Sequence, residues 1–224
     1  MQEYVIIVAG GTGSRMKSDI PKQFIPVNGV PVLMHTLSAF RSYSKDLSII
    51  LVLPENQFAY WKTLCVQQFF DEPYLLVAGG ATRFESVKNG LRTIESQEAL
   101  VAVHDGVRPV ISREIIARAF STAALHGTSV VSVPLKDSIR WVKESGENST
   151  LDRSSVRLIQ TPQTFRLDWM KHAFDQPFQE HFTDCASVLE SAGYPIRLIE
   201  GSYRNIKITT SEDLALAETY LKQI

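Results

Sequence analysis

Apolar residues in this 224-residue chain fall into short continuous runs, separated by stretches with helical spacing. The run Tyr4–Ala9 is rich in β-branched residues and apolar throughout, the pattern of a parallel strand covered on both faces by helices. Similar runs predict strands over Leu47–Leu53, Tyr74–Ala78, Leu100–Val103 and Ser129–Val133. Between them lie helical patterns. Pro31 stands at a first-turn position before Val32, Leu33, Leu37 and Phe40, a second helix spans about Gln57 to Phe69, and Thr82 with Glu85 forms a capping box opening a third. Ser112 caps a helix ending near His126-Gly127, and Thr210 to Asp213 start the last one, after a short strand expected over Asn205–Ile208. The pattern implies an α/β, Rossmann-like three-layer fold, with a mostly parallel central sheet flanked by helices, in a single domain over residues 1–224.

The pattern changes over about 136–160. Lys136 to Lys143 alternates polar and apolar residues, Ser145 to Ser149 reads as a turn, and a second stretch follows through Asp152-Arg153 to Ile159. This predicts a protruding β-arm. A two-stranded ribbon is marginal alone, and Ile139 and Trp141 need cover, so a second copy of the chain is the expected partner.

The chemistry gathers where strands end. Gly10, Gly11 and Gly13 follow the first strand and leave backbone N–H groups free to line an anion-binding concavity, with Thr12 between them. Met16 stands where a dinucleotide fingerprint needs its third glycine, and no ATPase-type P-loop is present. Arg15 and Lys22 supply two cations for a polyphosphate. Gly79-Gly80 repeats the arrangement, with Arg83 and Ser86 in the following helical turn. After the strand Leu100–Val103 comes H-D-G-V-R-P, where Asp105 is the candidate metal or substrate ligand and Arg108 a fork for phosphate. His104 is read as a hydrogen-bonded core residue, since group transfer to a phosphate needs no general base. On composition alone Lys207 is a surface lysine on an edge strand.

Composition narrows the partners. Lys+Arg number 23 against Asp+Glu 24, for a net charge of -1, which leaves no basic surplus for nucleic acid or an anionic membrane. The two cysteines, Cys65 and Cys185, lie far apart in helical patterns and read as reduced thiols, and no apolar stretch approaches the ~20 residues of a membrane helix. A cytoplasmic protein acting on a small substrate is expected.

The runs A-G-G-T-G-S-R-M, P-K-Q-F, H-D-G-V-R-P, L-D-R before Q-T-P-Q-T-F, F-T-D-C-A-S-V-L-E and G-S-Y-R-N-I-K-I-T-T-S-E-D-L span nearly the whole chain. Together they resemble the cytidylyltransferases acting on 2-C-methyl-D-erythritol 4-phosphate, within the sugar-phosphate nucleotidyltransferases. The resemblance implies transfer of CMP from CTP to that polyol phosphate, with release of pyrophosphate in non-mevalonate isoprenoid precursor synthesis. It implies that Arg15, Lys22 and Lys207 spread the phosphates' charge, with Asp105 and Arg108 beside them and Mg²⁺ bridging phosphate oxygens. Backbone of Ala9, Gly10 and Gly80 with the Ser86 hydroxyl would select cytosine, and Gly106 and Thr183 would also contact substrate. The family's arms embrace in a homodimer; by position Arg153, Thr161 and Ser138, the last in place of a more usual threonine, would enter the neighbour's site. Two further departures are Ala81, where the family is often acidic, and Gly106, where alanine is more usual. A ribitol or ribulose 5-phosphate cytidylyltransferase shares several of these runs, and a non-catalytic nucleotide sensor on the same fold is a third reading.

Overall fold

A computed structural model describes residues 1–11 and 20–223. In chain order, β1 (Gln2–Val8) is followed by β2 (Pro26–Val27), β3 (Val30–Pro31), α1 (Val32–Tyr43), β4 (Ser48–Leu53), α2 (Phe58–Gln67), β5 (Leu75–Ala78), α3 (Arg83–Arg92) and β6 (Ala99–Asp105). Then come α4 (Arg113–His126), β7 (Thr128–Pro134), β8 (Arg140–Val142), β9 (Asn148–Thr150), β10 (Arg157–Arg166), α5 (Leu167–Asp175), α6 (Cys185–Ser191), β11 (Leu198–Glu200) and α7 (Ser211–Leu221).

Seven strands form one sheet in the order β11-β7-β10-β6-β1-β4-β5. Neighbours are parallel except β10, which runs antiparallel between β6 and β7. The β1 run shows why its residues are apolar without interruption. Val5 and Ile7 enter the layer built with α1, α2 and α4, while Ile6 between them enters the layer built with α3, α5 and α6. A strand buried on both faces favours apolar side chains at successive positions. A smaller cluster, with Val27, Val32, Val107, Val110, Ile208 and Ala217, seats α7 against the strand ends.

Two expectations are corrected. Asn205–Ile208 forms no strand; the segment follows a turn and is held by isolated contacts, such as Ile208 N–H donating to Val107 O at 2.9 Å. The strand in this region is β11, parallel to β7. The arm is also shorter than 136–160. Its hairpin pairs Arg140–Val142 with Asn148–Thr150, Arg153–Ser155 makes a 3₁₀ turn, and Arg157–Ile159 already pairs with β7 in the main sheet. Trp141 on the arm is 59% exposed in the single chain.

Candidate active site

The parallel strands β1, β4 and β6 end side by side, with Val8 paired to both Val52 and Asp105. A cavity of about 260 Å³ opens there, lined among others by Ala9, Gly10, Gly11, Lys22, Gly80 and Ser86. A second, of about 230 Å³, is lined by Arg108, Thr161 and Thr183. Arg83, Asp105 and Lys207 line both and so form their shared wall.

Asp105 is the hub of this wall. Its Oδ2 lies 3.2 Å from Arg108 Nε and 3.1 Å from Lys207 Nζ, and its Oδ1 lies 3.7 Å from Arg83 Nη2. Burial alone would raise the acid's pKa, but the Arg83, Lys207 and Arg108 charges outweigh it and hold the carboxyl well below the usual carboxylate range. Burial also works against the charge on Arg83, where the Cys185 sulfur and Asp105 more than compensate; for Arg108 burial prevails and its pKa falls. One carboxylate among three cations leaves a net positive wall between the cavities, suited to phosphate on either side.

Local structure places each group. Lys22 begins the 3₁₀ turn Lys22–Phe24, and its Nζ donates to the carbonyl of Ile208, 186 residues away in sequence, at 3.2 Å, next to Lys207 in the chain. Arg83 opens α3, whose capping box joins Thr82 and Glu85. Ser86 Oγ donates to Thr82 O and accepts from Gly80 N–H at 3.1 Å, which leaves it one lone pair. Ala9 uses its N–H on Val52 O and receives Gln23 Nε2 on its carbonyl, so of the backbone groups expected to read the base it retains only a second carbonyl lone pair. Arg108 Nη1 donates to Asn205 O at 2.8 Å, which fixes the guanidinium beside the segment that carries Lys207.

Other expectations come out differently. Thr12, Gly13 and Arg15 lie outside the described residues. Gly106 lines neither cavity. Its N–H donates to Val8 O, its carbonyl accepts from Thr36 Oγ1, and a Cβ there would stand 2.7 Å from the Ala9 Cβ. Its N–H, its carbonyl and its missing Cβ are therefore all used in packing the turn against β1 and α1. Thr161 does not travel with the arm either. It is buried in β10, where the pairing with β7 shifts between Ile159 and Gln163, and its Oγ1 accepts from Asp105 N–H at 3.0 Å. Ser138 and Arg153 are exposed on the arm and line neither of these cavities; Arg153 Nη1 donates to Lys136 O at 2.7 Å. His104 is fully buried, which pushes its pKa down to about 4 and keeps it neutral, and both ring nitrogens are hydrogen-bonded.

Three residues join the site that the sequence had not marked. Gln23 lines the first cavity and ties Ala9 O to Gln57 Oε1. Gln163 accepts the N–H groups of Cys185 and Ala186, anchoring the start of α6. The Cys185 sulfur accepts from Arg83 Nη1 at 3.3 Å. Both glutamines sit inside the P-K-Q and Q-T-P-Q runs, which offered the available signal.

Among the described residues no group of three or more histidine, cysteine or acidic side chains is arranged to hold a metal ion. Among the described residues, Asp105 is the one carboxylate lining the first cavity. That donor set fits Mg²⁺, which binds through one or two carboxylates when substrate phosphates and water supply its remaining ligands.

The model of the 2-C-methyl-D-erythritol 4-phosphate cytidylyltransferase (IspD) family matches residues 4–223. The chain belongs to this family. A 2-C-methyl-D-erythritol 4-phosphate cytidylyltransferase of Bacteroides thetaiotaomicron is 48% identical over 221 residues, covering 99% of this chain and 100% of the relative. One from Porphyromonas gingivalis is 47% identical, covering 98% of each chain. Among solved structures, 4-diphosphocytidyl-2C-methyl-D-erythritol synthase of Anaerococcus prevotii superposes with a TM-score of 0.83 at 28% identity, covering 99% of this chain and 98% of that one. The Thermus thermophilus cytidylyltransferase gives 0.76 at 30% identity with full coverage of both chains. The IspD fold thus accounts for the mostly parallel sheet and its helical layers.

Proposed function

We propose that this IspD-family chain transfers CMP from CTP to 2-C-methyl-D-erythritol 4-phosphate, forming 4-diphosphocytidyl-2-C-methyl-D-erythritol and pyrophosphate. The observation that carries the reading is the shared wall: two cavities meet at Arg83, Asp105 and Lys207, so two phosphate-bearing substrates would meet there too. CTP occupies the first cavity, with its base toward Gly80 and Ser86, whose remaining lone pair accepts from the exocyclic amine of cytosine. The polyol phosphate occupies the second, against Arg108, Thr161 and Thr183.

An oxygen of the polyol phosphate attacks the α-phosphorus of CTP in line. The new P–O bond forms as the bond to the β-phosphate bridging oxygen breaks, and pyrophosphate leaves with that electron pair. Lys22 and Lys207 neutralise the charge crowding at the reacting phosphorus, with Arg15 joining them from the glycine loop. The attacking phosphate is already anionic, so no general base is required, consistent with a neutral, enclosed His104. Mg²⁺ held by Asp105 would draw charge from the triphosphate oxygens and favour departure of pyrophosphate.

The arm makes the active unit a homodimer. Trp141 and Val142, 59% and 65% exposed, are covered by the partner, and Arg153 of each arm completes the second cavity of the other subunit. No helix among the described residues is long and apolar enough to cross a membrane. With both cysteines free, the reading is of a cytoplasmic enzyme.

The test is pyrophosphate release from CTP with 2-C-methyl-D-erythritol 4-phosphate, ribitol 5-phosphate and ribulose 5-phosphate in parallel. Turnover with the first alone is expected. Turnover with a pentose or pentitol phosphate instead would replace the acceptor, and CTP binding without release from any of them would make the chain a nucleotide sensor.

A further inference from the structure

Asp105 and Arg108 sit at the two ends of one four-residue turn, and His104 immediately precedes it. The carbonyl of Arg108 can only accept, so the His104 Nε2 that lies 3.1 Å from it carries the hydrogen. A neutral ring then presents Nδ1 as a lone pair, and the Thr161 hydroxyl, 3.1 Å away, donates to it. The oxygen of that hydroxyl accepts the Asp105 N–H at 3.0 Å. One continuous chain of hydrogen bonds therefore runs from the first residue of the turn, through Thr161 and the imidazole, to its last.

We propose that His104 is a positioning residue, holding both ends of the Asp105–Arg108 turn so that the carboxylate and guanidinium face the polyol-phosphate cavity; this rests on the two-substrate reading above. The ring packs against Phe40, with centroids 4.9 Å apart, and is fully buried, so it acts only through the groups it holds. The nucleotide side has separate anchors: Ala9 is held by Val52 O and Gln23 Nε2, and Gly80 by Ser86 Oγ. Arg108 lines the acceptor cavity and not the nucleotide cavity, whereas Asp105 lines both and is also held by Arg83 and Lys207. Losing the clamp should therefore disturb the acceptor half of the site more than the nucleotide half. A displacement of about 1 Å in a positioning group is enough to cost a large factor in rate.

Two substitutions divide the clamp. His104→Asn keeps an acceptor near Nδ1 but cannot reach the Arg108 carbonyl, and His104→Gln keeps a donor near Nε2 but releases Thr161. Each should raise KM for 2-C-methyl-D-erythritol 4-phosphate about ten-fold, the scale of one lost buried hydrogen bond, while KM for CTP stays within about two-fold. Thr161→Val removes the same link as His104→Gln, so the double variant should be no worse than the poorer single one. Equal rises in both KM values, unchanged kinetics in folded variants, or additive losses would overturn the proposal. Nitrogen NMR of the wild-type imidazole gives a readout independent of turnover and of variant folding. The neutral Nε2–H tautomer is expected at neutral pH, and an Nδ1–H tautomer overturns the clamp whatever the substrate. If wild-type protein releases no pyrophosphate, the functional reading fails while the tautomer still decides this one.

Discussion

Replacing Asp105 by asparagine keeps the shape of the side chain and removes only its charge, which isolates the hub's electrostatic role. Three cations then lose their counter-charge. Arg108 suffers most, because its side chain is 11% exposed and its Nε stands 3.2 Å from the carboxylate, whereas Lys207, 42% exposed, can turn to water. Uncoupling a buried pair typically costs 3–5 kcal/mol, and screening at Lys207 places this case at the lower end, roughly 3 kcal/mol. For a chain of this length the melting temperature should fall by roughly 6–12 °C. The assay is thermal and urea unfolding of both proteins with EDTA present, each with and without saturating pyrophosphate. Pyrophosphate should raise the melting temperature of Asp105→Asn more than that of the wild type, since an anion now supplies the missing negative charge. A variant that melts with the wild type, and gains no more from pyrophosphate, would show that Asp105 does not organise the cluster.

Gly106→Ala, although it installs the residue more usual in the family, should destabilise this chain by about 1–3 kcal/mol and raise KM for CTP. Its Cβ would meet Ala9 Cβ at 2.7 Å and Leu33 Cδ1 at 3.0 Å; unchanged unfolding and CTP kinetics would refute the packing argument. Stability should also decline on acidification from pH 6.5 toward about 4, because the unfolded chain protonates His104 where the folded chain does not. The slope is up to ~1.4 kcal/mol per pH unit, and urea titrations of His104→Asn should lack that contribution. For the shared site, Lys22→Ala and Arg153→Ala homodimers should each be nearly inactive with the polyol phosphate below its raised KM. Their heterodimer carries both lesions in one site and none in the other, so it should recover about half of wild-type activity per dimer. Verified subunit exchange without recovery would return Arg153 to its own chain.

Much of the fold was legible because strand segments buried on both faces run apolar through successive positions, as residues 5–8 of β1, 49–53 of β4 and 99–103 of β6 do. The central antiparallel strand β10 was not, for a reason specific to its job. Its sequence, RLIQTPQTFR, contributes Phe165 to the apolar core, while Gln160, Thr161 and Gln163 face polar networks around the site. Side chains recruited to those networks erase the periodicity that marks a strand. The alternation of the arm likewise ran on into Ile159, and nothing local marks the point where pairing passes from the hairpin to the main sheet.

The site was legible one motif at a time, and its pairings were not. Arg83 meets Cys185 across 102 positions, and Arg108 meets the carbonyl of Asn205 across 97. Each motif supplies a cation or an anchor that taken alone resembles a solvated surface charge, as Lys207 did. What separates the two cases is the carboxylate at the centre. Without substrate, Asp105 holds Arg83, Arg108 and Lys207 together, although their mutual repulsion would otherwise drive them apart. Because one negative charge is too few for three positive ones, the cluster still attracts phosphate from both cavities. The residue that stabilises the empty site therefore also leaves it electrostatically incomplete, and two phosphate-bearing substrates are suited to completing it.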